Sequence, residues 1–231
     1  MNEYEPWEWR TEQEMQDALA GSMLRTEYLQ DRLLLASRLL LLLDIRAHHD
    51  GLEVGPGEGI VAASIAPRCR SLLCADISRS FLNKTAETCV GQQNVLYSVI
   101  GDDFLDSLPS AAFDFGYAAN VFVHMDAYGI FHYLHGVARV LRPGGRFWFN
   151  ACTIGVNTID LFRTFAAAYR AAPKGRNPGY LRWNDIYTIR QLIREAGLHE
   201  CEDGLIDDGG GIQALVTRPY RGTLSASSLT T

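Results

Sequence analysis

This sequence has no C-x-x-C pair, no basic excess, no apolar run long enough to span a membrane and no internal repeat, and each absence closes off a class of protein. Its cysteines, at 69, 74, 89, 152 and 201, follow no metal-binding or disulfide spacing. They point to a reduced, cytoplasmic protein in which Cys74 and Cys152, set in apolar runs, serve as small buried hydrophobes. A formal net charge of −6 argues against DNA or large RNA as a partner, because a phosphate-binding surface needs a cationic surplus. Arg163, Arg170, Lys174, Arg176 and Arg182 do gather in one stretch, which suits a solvated lid or an anionic small acceptor better than nucleic acid. The leucine-rich run Leu33–Leu43 contains Arg38 and falls short of the roughly 20 residues a spanning helix needs. It reads as a buried helix with a face left over for a second helix or a partner copy, hence a possible homodimer. The opening MNEYEPWEWR is acidic and aromatic, unlike a secretory signal.

What is present is one domain's worth of chain, 231 residues with a globular composition. Residues 11–44 are rich in helix formers and free of proline, so 1–49 reads as an N-terminal helical cap, parted near Gly21 and Ser22. From Asp50 short apolar runs alternate with longer amphipathic ones, the pattern of βαβ units and a parallel sheet. The spacing predicts strands at Gly51–Gly55, Ser71–Asp76, Val95–Ile100, Phe113–Asn120 and Gly145–Cys152. Helices are predicted at Glu58–Ala66, Arg79–Val90 and Ala127–Leu141, the last closed by Pro143-Gly144-Gly145. An aromatic and basic insertion follows at about 153–185, then a helix, Ile186–Ala196, capped by Gly197. Two strands, His199–Ile206 and Gly211–Thr217, are joined by so few residues that they must pair antiparallel. The Ser/Thr-rich tail, 218–231, reads as frayed.

The densest motif is Leu52-Glu53-Val54-Gly55-Pro56-Gly57-Glu58-Gly59, at the carboxyl end of the first predicted strand. Its glycines allow a tight turn and close approach to a ligand. A nicotinamide-binding loop would read G-x-G-x-x-G. Here Ile60 occupies the last position, the spacing is G-x-G-x-G, and an acid, Glu53, precedes it. Asp76 ends the second strand 21 residues after Gly55, where a carboxylate can accept from both ribose hydroxyls; the competing N-cap role falls more naturally to Ser78. Gly101-Asp102-Asp103 follows the third strand, and Asn120 and His124 follow the fourth.

With these elements in order, the chain from about Leu52 to Thr217 resembles the class I S-adenosylmethionine-dependent methyltransferases of small-molecule type. The resemblance implies a three-layer α/β Rossmann-like sandwich with a seven-stranded, mostly parallel sheet of order 3-2-1-4-5-7-6, spanning 50–217. It also implies S-adenosyl-L-methionine as cofactor and S-adenosyl-L-homocysteine as product. Cofactor contacts are then expected from Glu53, Gly55, Gly57, Asp76, Ile77, Asp102, Asp103 and Asn120. Gly55 and Gly57 would lie against the methionine part, and Glu53 would orient the loop or meet the amino group indirectly. Asp102 would accept from the adenine amine, and the Asp103 N–H would serve a ring nitrogen. Asn120 would hold cofactor or greet the acceptor, and His124 is the candidate catalytic base. The segment Ala138 to Gly145 resembles the family's exit into its fifth strand.

The expected activity is methyl transfer to an O or N atom of a small acceptor. A nicotinamide-dependent oxidoreductase and a catalytically silent, methyltransferase-like binding module stay open at this point. No metal is expected: His48 and His49 are adjacent, His132 and His135 stand i, i+3, and no acid or cysteine cluster joins either pair. The aromatics Phe162, Phe165, Tyr169, Tyr180 and Trp183 suggest that the insertion covers an acceptor pocket.

Overall fold

A computed structural model describes residues 24–101, 103–171 and 181–220. The predicted helices Arg79–Val90 and Ile186–Ala196 appear as α3 (Arg79–Thr88) and α6 (Ile186–Glu195). Polar side chains start both: Ser78 Oγ accepts from Phe81 N–H, and Asp185 accepts from the N–H groups of Tyr187 and Thr188. The cap helix, α1, spans Arg25–Leu42; the expected segment before Gly21 lies outside the described residues.

The sheet has the order β3-β2-β1-β4-β5-β7-β6. Its strands are β1 (Asp50–Val54), β2 (Ser71–Asp76), β3 (Val95–Val99), β4 (Phe113–Ala118), β5 (Leu141–Cys152), β6 (His199–Asp207) and β7 (Gly211–Thr217). The first five run parallel, and β7 pairs antiparallel with both β5 and β6. In β1, Leu52 and Val54 face one hydrophobic cluster while Phe115 and Tyr117 of β4 face the other, as expected of strands covered on both faces. The first cluster lies beneath α4 (Ala127–Val140) and α6; the second lies beneath α1, α2 (Ile60–Ile65) and α3. At Gly51 a Cβ would sit 2.2 Å from the Phe115 ring, so only glycine admits that aromatic.

Two expectations need correction. The Pro143-Gly144-Gly145 segment does not separate α4 from the next strand: helix passes into β5 at Leu141, with Gly144 at φ 83°. Arg142 supplies the reason for ordering this stretch, since it donates to Asp114 Oδ2 (2.6 Å) and Asp50 Oδ2 (3.1 Å). The start of the tail is also not frayed. Arg218 donates to the carbonyls of Arg139 and Leu141 and exchanges backbone bonds with Gly144 and Gly145; residues 221–231 lie outside the described set.

Strand β1 thus has two distinct ends. At its start, Asp50 takes bonds from Arg70, Ser71 and Arg142, which hold its carboxyl far below the usual range. The other end opens into the glycine loop.

Candidate active site

The strand order reverses direction between β1 and β4, and the crevice beyond their carboxyl ends is where open α/β sheets bind ligands. Gly55, Gly57 and Gly59 all adopt positive φ there (69°, 58° and 83°), a backbone that side-chain-bearing residues rarely take. Gly59 has a second reason: a Cβ would lie 2.9 Å from the Thr85 Cα of α3. Thr85 Oγ1 donates to the Gly57 carbonyl at 3.0 Å, pinning the loop from beneath.

Glu53 lies under this loop, 2% exposed, and its Oε2 accepts from the Tyr117 hydroxyl at 2.9 Å. Burial pushes its carboxyl up to about 8, only partly offset by that hydrogen bond, while the Tyr117 phenol is driven well above its ordinary value. In the ligand-free protein at neutral pH, Glu53 is therefore a neutral acid that shapes the loop floor. Asp76 ends β2, 6% exposed, with Oδ1 accepting from the Ser78 N–H at 2.8 Å. Ser78 is the N-cap of α3, so the N-cap role does not fall to Asp76.

Ile77 is half-buried against the first cluster. Asp102 lies outside the described residues, but Asp103 is placed: Oδ2 accepts from the Ser107 N–H (3.1 Å), and Oδ1 is buried without a partner. A buried carboxylate oxygen lacking a donor fits a ligand that brings an N–H group. Asn120 follows β4 in a left-handed conformation (φ 59°), strain of the kind stored at functional sites. Its N–H donates to Asn150 Oδ1 at 2.7 Å. His124 is half-buried at the end of a single turn, Phe122–His124, three residues beyond Val121.

Four features were not singled out from the sequence. Arg25, the first residue of α1, makes a bidentate pair with Glu58 of the loop, whose side chain is only 4% exposed; Nη2 to Oε2 is 2.7 Å. Tyr28 is buried beside this pair between the guanidinium groups of Arg25 and Arg32, and burial together with Glu58 pushes its phenol up to about 12. Asn150 at the end of β5 faces Asn120. Finally, an open cleft of about 210 Å³ lies between α1 and the sheet, beside Asn120 after β4, β5 and the start of β7, lined by Arg32, Leu35, Arg38, Asn120, Trp148 and Asn150 among others. His124 does not line it.

The insertion contains α5 (Ile159–Ala171), which buries none of its residues. Phe162 meets Trp183 edge to face at 5.4 Å; Tyr180 lies outside the described residues. Its return leg runs along the sheet edge: Arg182 N–H donates to the Val123 carbonyl (2.8 Å) and Asn184 N–H to that of Cys152 (2.8 Å). His132 and His135 are exposed on α4, His132 stacking on Phe104. Among the described residues no helix is long and apolar enough to cross a membrane.

A buried acid under a glycine loop, a carboxylate ending β2 and an orphan carboxylate oxygen after β3 lie on the side of the sheet where open α/β folds bind ligands. Residues 52–149 match the methyltransferase domain family. An uncharacterized methyltransferase of Schizosaccharomyces pombe is 27% identical over 157 residues, 64% of this chain. The match spans 58% of that relative's length. The N-methyltransferase NodS of Bradyrhizobium japonicum, solved with S-adenosyl-L-homocysteine, superposes with a TM-score of 0.60 at 18% identity, covering 83% of this chain and 87% of that one. The YcgJ protein of Bacillus subtilis gives 0.63 at 14% identity, covering 83% and 99%. A methyltransferase domain implies S-adenosylmethionine as cofactor, and the orphaned Asp103 oxygen and the positive-φ glycine loop fit it.

Proposed function

We propose that this protein transfers the methyl group of S-adenosylmethionine to an O or N atom of a small acceptor by in-line displacement, releasing S-adenosylhomocysteine. The observations that support this reading are the positive-φ glycine loop, the buried Asp76 at the end of β2 and the orphaned Asp103 oxygen, with an open cleft that Asn120 lines. Gly55, Gly57 and Glu53 would hold the methionine part, Asp76 the ribose hydroxyls, and Asp102 and Asp103 the adenine edge, beside Ile77. Asn120 would hold cofactor or greet the acceptor.

The cofactor supplies a sulfonium methyl that is already activated, so the protein's task is alignment and exclusion of water. Val121 packs against Gly55, where a Cβ would come within 2.3 Å of its Cγ2, and this keeps the cleft wall and the loop in register. A neutral amine acceptor needs only positioning; a hydroxyl must lose its proton, and His124 is the candidate base for that case.

Calorimetric titration with S-adenosylhomocysteine, followed by labelled methyl transfer across pools of small metabolites, tests the reading. Saturable binding of the cofactor product with no binding of nicotinamide dinucleotides is expected, together with transfer to a small acceptor. Failure to bind S-adenosylhomocysteine would overturn the assignment, while binding without transfer to any pool would favour the silent module.

A further inference from the structure

The cleft beside Asn120 carries more hydrogen-bond donors than its own residues can accept from. Asn150 Oδ1 is taken by the Asn120 N–H (2.7 Å), which fixes the Asn150 amide with Nδ2 toward Asn120. The Asn120 amide then lies between two donors. With its oxygen toward Asn150 (2.7 Å) its nitrogen faces the Arg32 guanidinium; turned over, its oxygen accepts from Arg32 Nη1 and Nη2 at 3.2 Å and its nitrogen faces Asn150 Nδ2. Either way one donor meets a donor. A guanidinium carries five N–H groups, and Asp31 accepts from only Nε and Nη2 of Arg32. Arg38 adds a second guanidinium, engaged with Gln213 Oε1 at 3.0 Å.

The two acids lining the cleft do not balance this surplus locally. Asp31 accepts from Arg32 through Oδ2, and Asp208 Oδ1 accepts from the backbone N–H groups of Gly210 and Gly211 while its Oδ2 accepts from Gln213 Nε2. Its apolar lining is buried Trp148 with half-buried Leu35 and, at the exposed rim, Leu34. The missing partner is an acceptor-only group beside an apolar body. Because Asp31 holds Nε and Nη2 of Arg32, the Nη1 edge of that guanidinium is the part that faces Asn120 and would meet a planar carboxylate.

We propose that the methyl acceptor carries one carboxylate, seated between Arg32, Arg38 and Asn150, with its apolar portion on Trp148. This rests on the methyltransferase reading above, and it makes α1 a specificity element as well as a cover. The test uses benzoate and benzamide, and propionate and propionamide, as probes titrated by NMR into the full chain, with and without saturating S-adenosylhomocysteine. Each carboxylate is expected to bind at least tenfold tighter than its amide. Arg38→Gln, at an exposed position, is expected to remove most of that preference, and Arg32→Gln the rest, with S-adenosylhomocysteine affinity in Arg38→Gln within about twofold of wild type. Equal binding of acid and amide, binding of neither, a preference unchanged in Arg38→Gln, or inorganic phosphate binding tighter than benzoate would each overturn the carboxylate assignment. A protein that binds the carboxylates but not S-adenosylhomocysteine would leave this site standing and remove the cofactor reading instead.

Discussion

Glu53→Gln isolates the thermodynamic role of the acid beneath the loop. Its carboxyl lies at about 8 in the folded protein against an ordinary value of 4.5, so between those two pH values the folded state holds a proton that the unfolded chain has released. Stability must then fall as pH rises, by about 1.4 kcal/mol per pH unit. From pH 5.5 to 7.5 the loss is about 2.5 kcal/mol, which for a domain of this size lowers Tm by roughly 5–10 °C. Glutamine keeps the acceptor for the Tyr117 hydroxyl but cannot ionise, so this component disappears. Asp50 does not confuse the window, because its depressed carboxyl is ionised in both states there and its stabilisation is lost only at more acid pH. Scanning calorimetry of both ligand-free proteins from pH 5.5 to 8.5 is the assay. Up to about pH 8 the wild type should lose Tm more steeply than the variant, and above it the two curves should run parallel. Curves parallel below that pH as well would refute the buried, neutral carboxyl.

Asp76→Ala should weaken S-adenosylhomocysteine by about 1.5–3 kcal/mol in calorimetry, through loss of a charge-assisted pair of hydrogen bonds; unchanged affinity in a folded variant would defeat the ribose assignment. Arg25→Ala leaves Glu58 buried without its cation and should cost about 1–3 kcal/mol in chemical denaturation, with Arg25→Ala/Glu58→Gln recovering part of it. His124→Ala should cut kcat by roughly 10²–10⁴-fold for a hydroxyl acceptor and mainly raise KM for a neutral amine; constants within about twofold of wild type would make His124 a loop residue. Substitutions of Phe162 and Trp183 should change acceptor KM while sparing cofactor affinity, and the reverse pattern would remove the insertion from the acceptor side.

The parallel core was legible because its signals are local: apolar runs of strand length, helix caps, and glycines at fixed offsets. Ser78 could be assigned as N-cap from the sequence alone, and the antiparallel pairing of β6 with β7 from the shortness of their connection. The passage from α4 directly into β5 was not legible, since Pro-Gly-Gly reads as a breaker until Arg142 is seen bridging Asp50 and Asp114 across two other strands. Arg25, Arg32 and Arg38 were hidden for a related reason. On a helix rich in leucine, scattered arginines look like a solvated face, and only the docking of α1 turns them toward Glu58, Asn120 and Gln213. Asn150 sits in a strand whose partner is set by tertiary pairing, and no offset in the sequence predicts that it faces Asn120.

The Arg25–Glu58 pair also bears on how this protein may be cut or fused. Residues 52–149 carry the family match, yet Ala36, Leu39 and Leu43 pack into the same cluster as Val61, Ile65 and Trp148. A fragment beginning at Asp50 would bare that apolar face and strand the Glu58 carboxylate at once. The smallest piece expected to fold on its own therefore starts no later than Leu24 and runs through Tyr220, which packs on Gly144, and a tag or partner domain is better attached outside those limits than at the edge of residues 52–149.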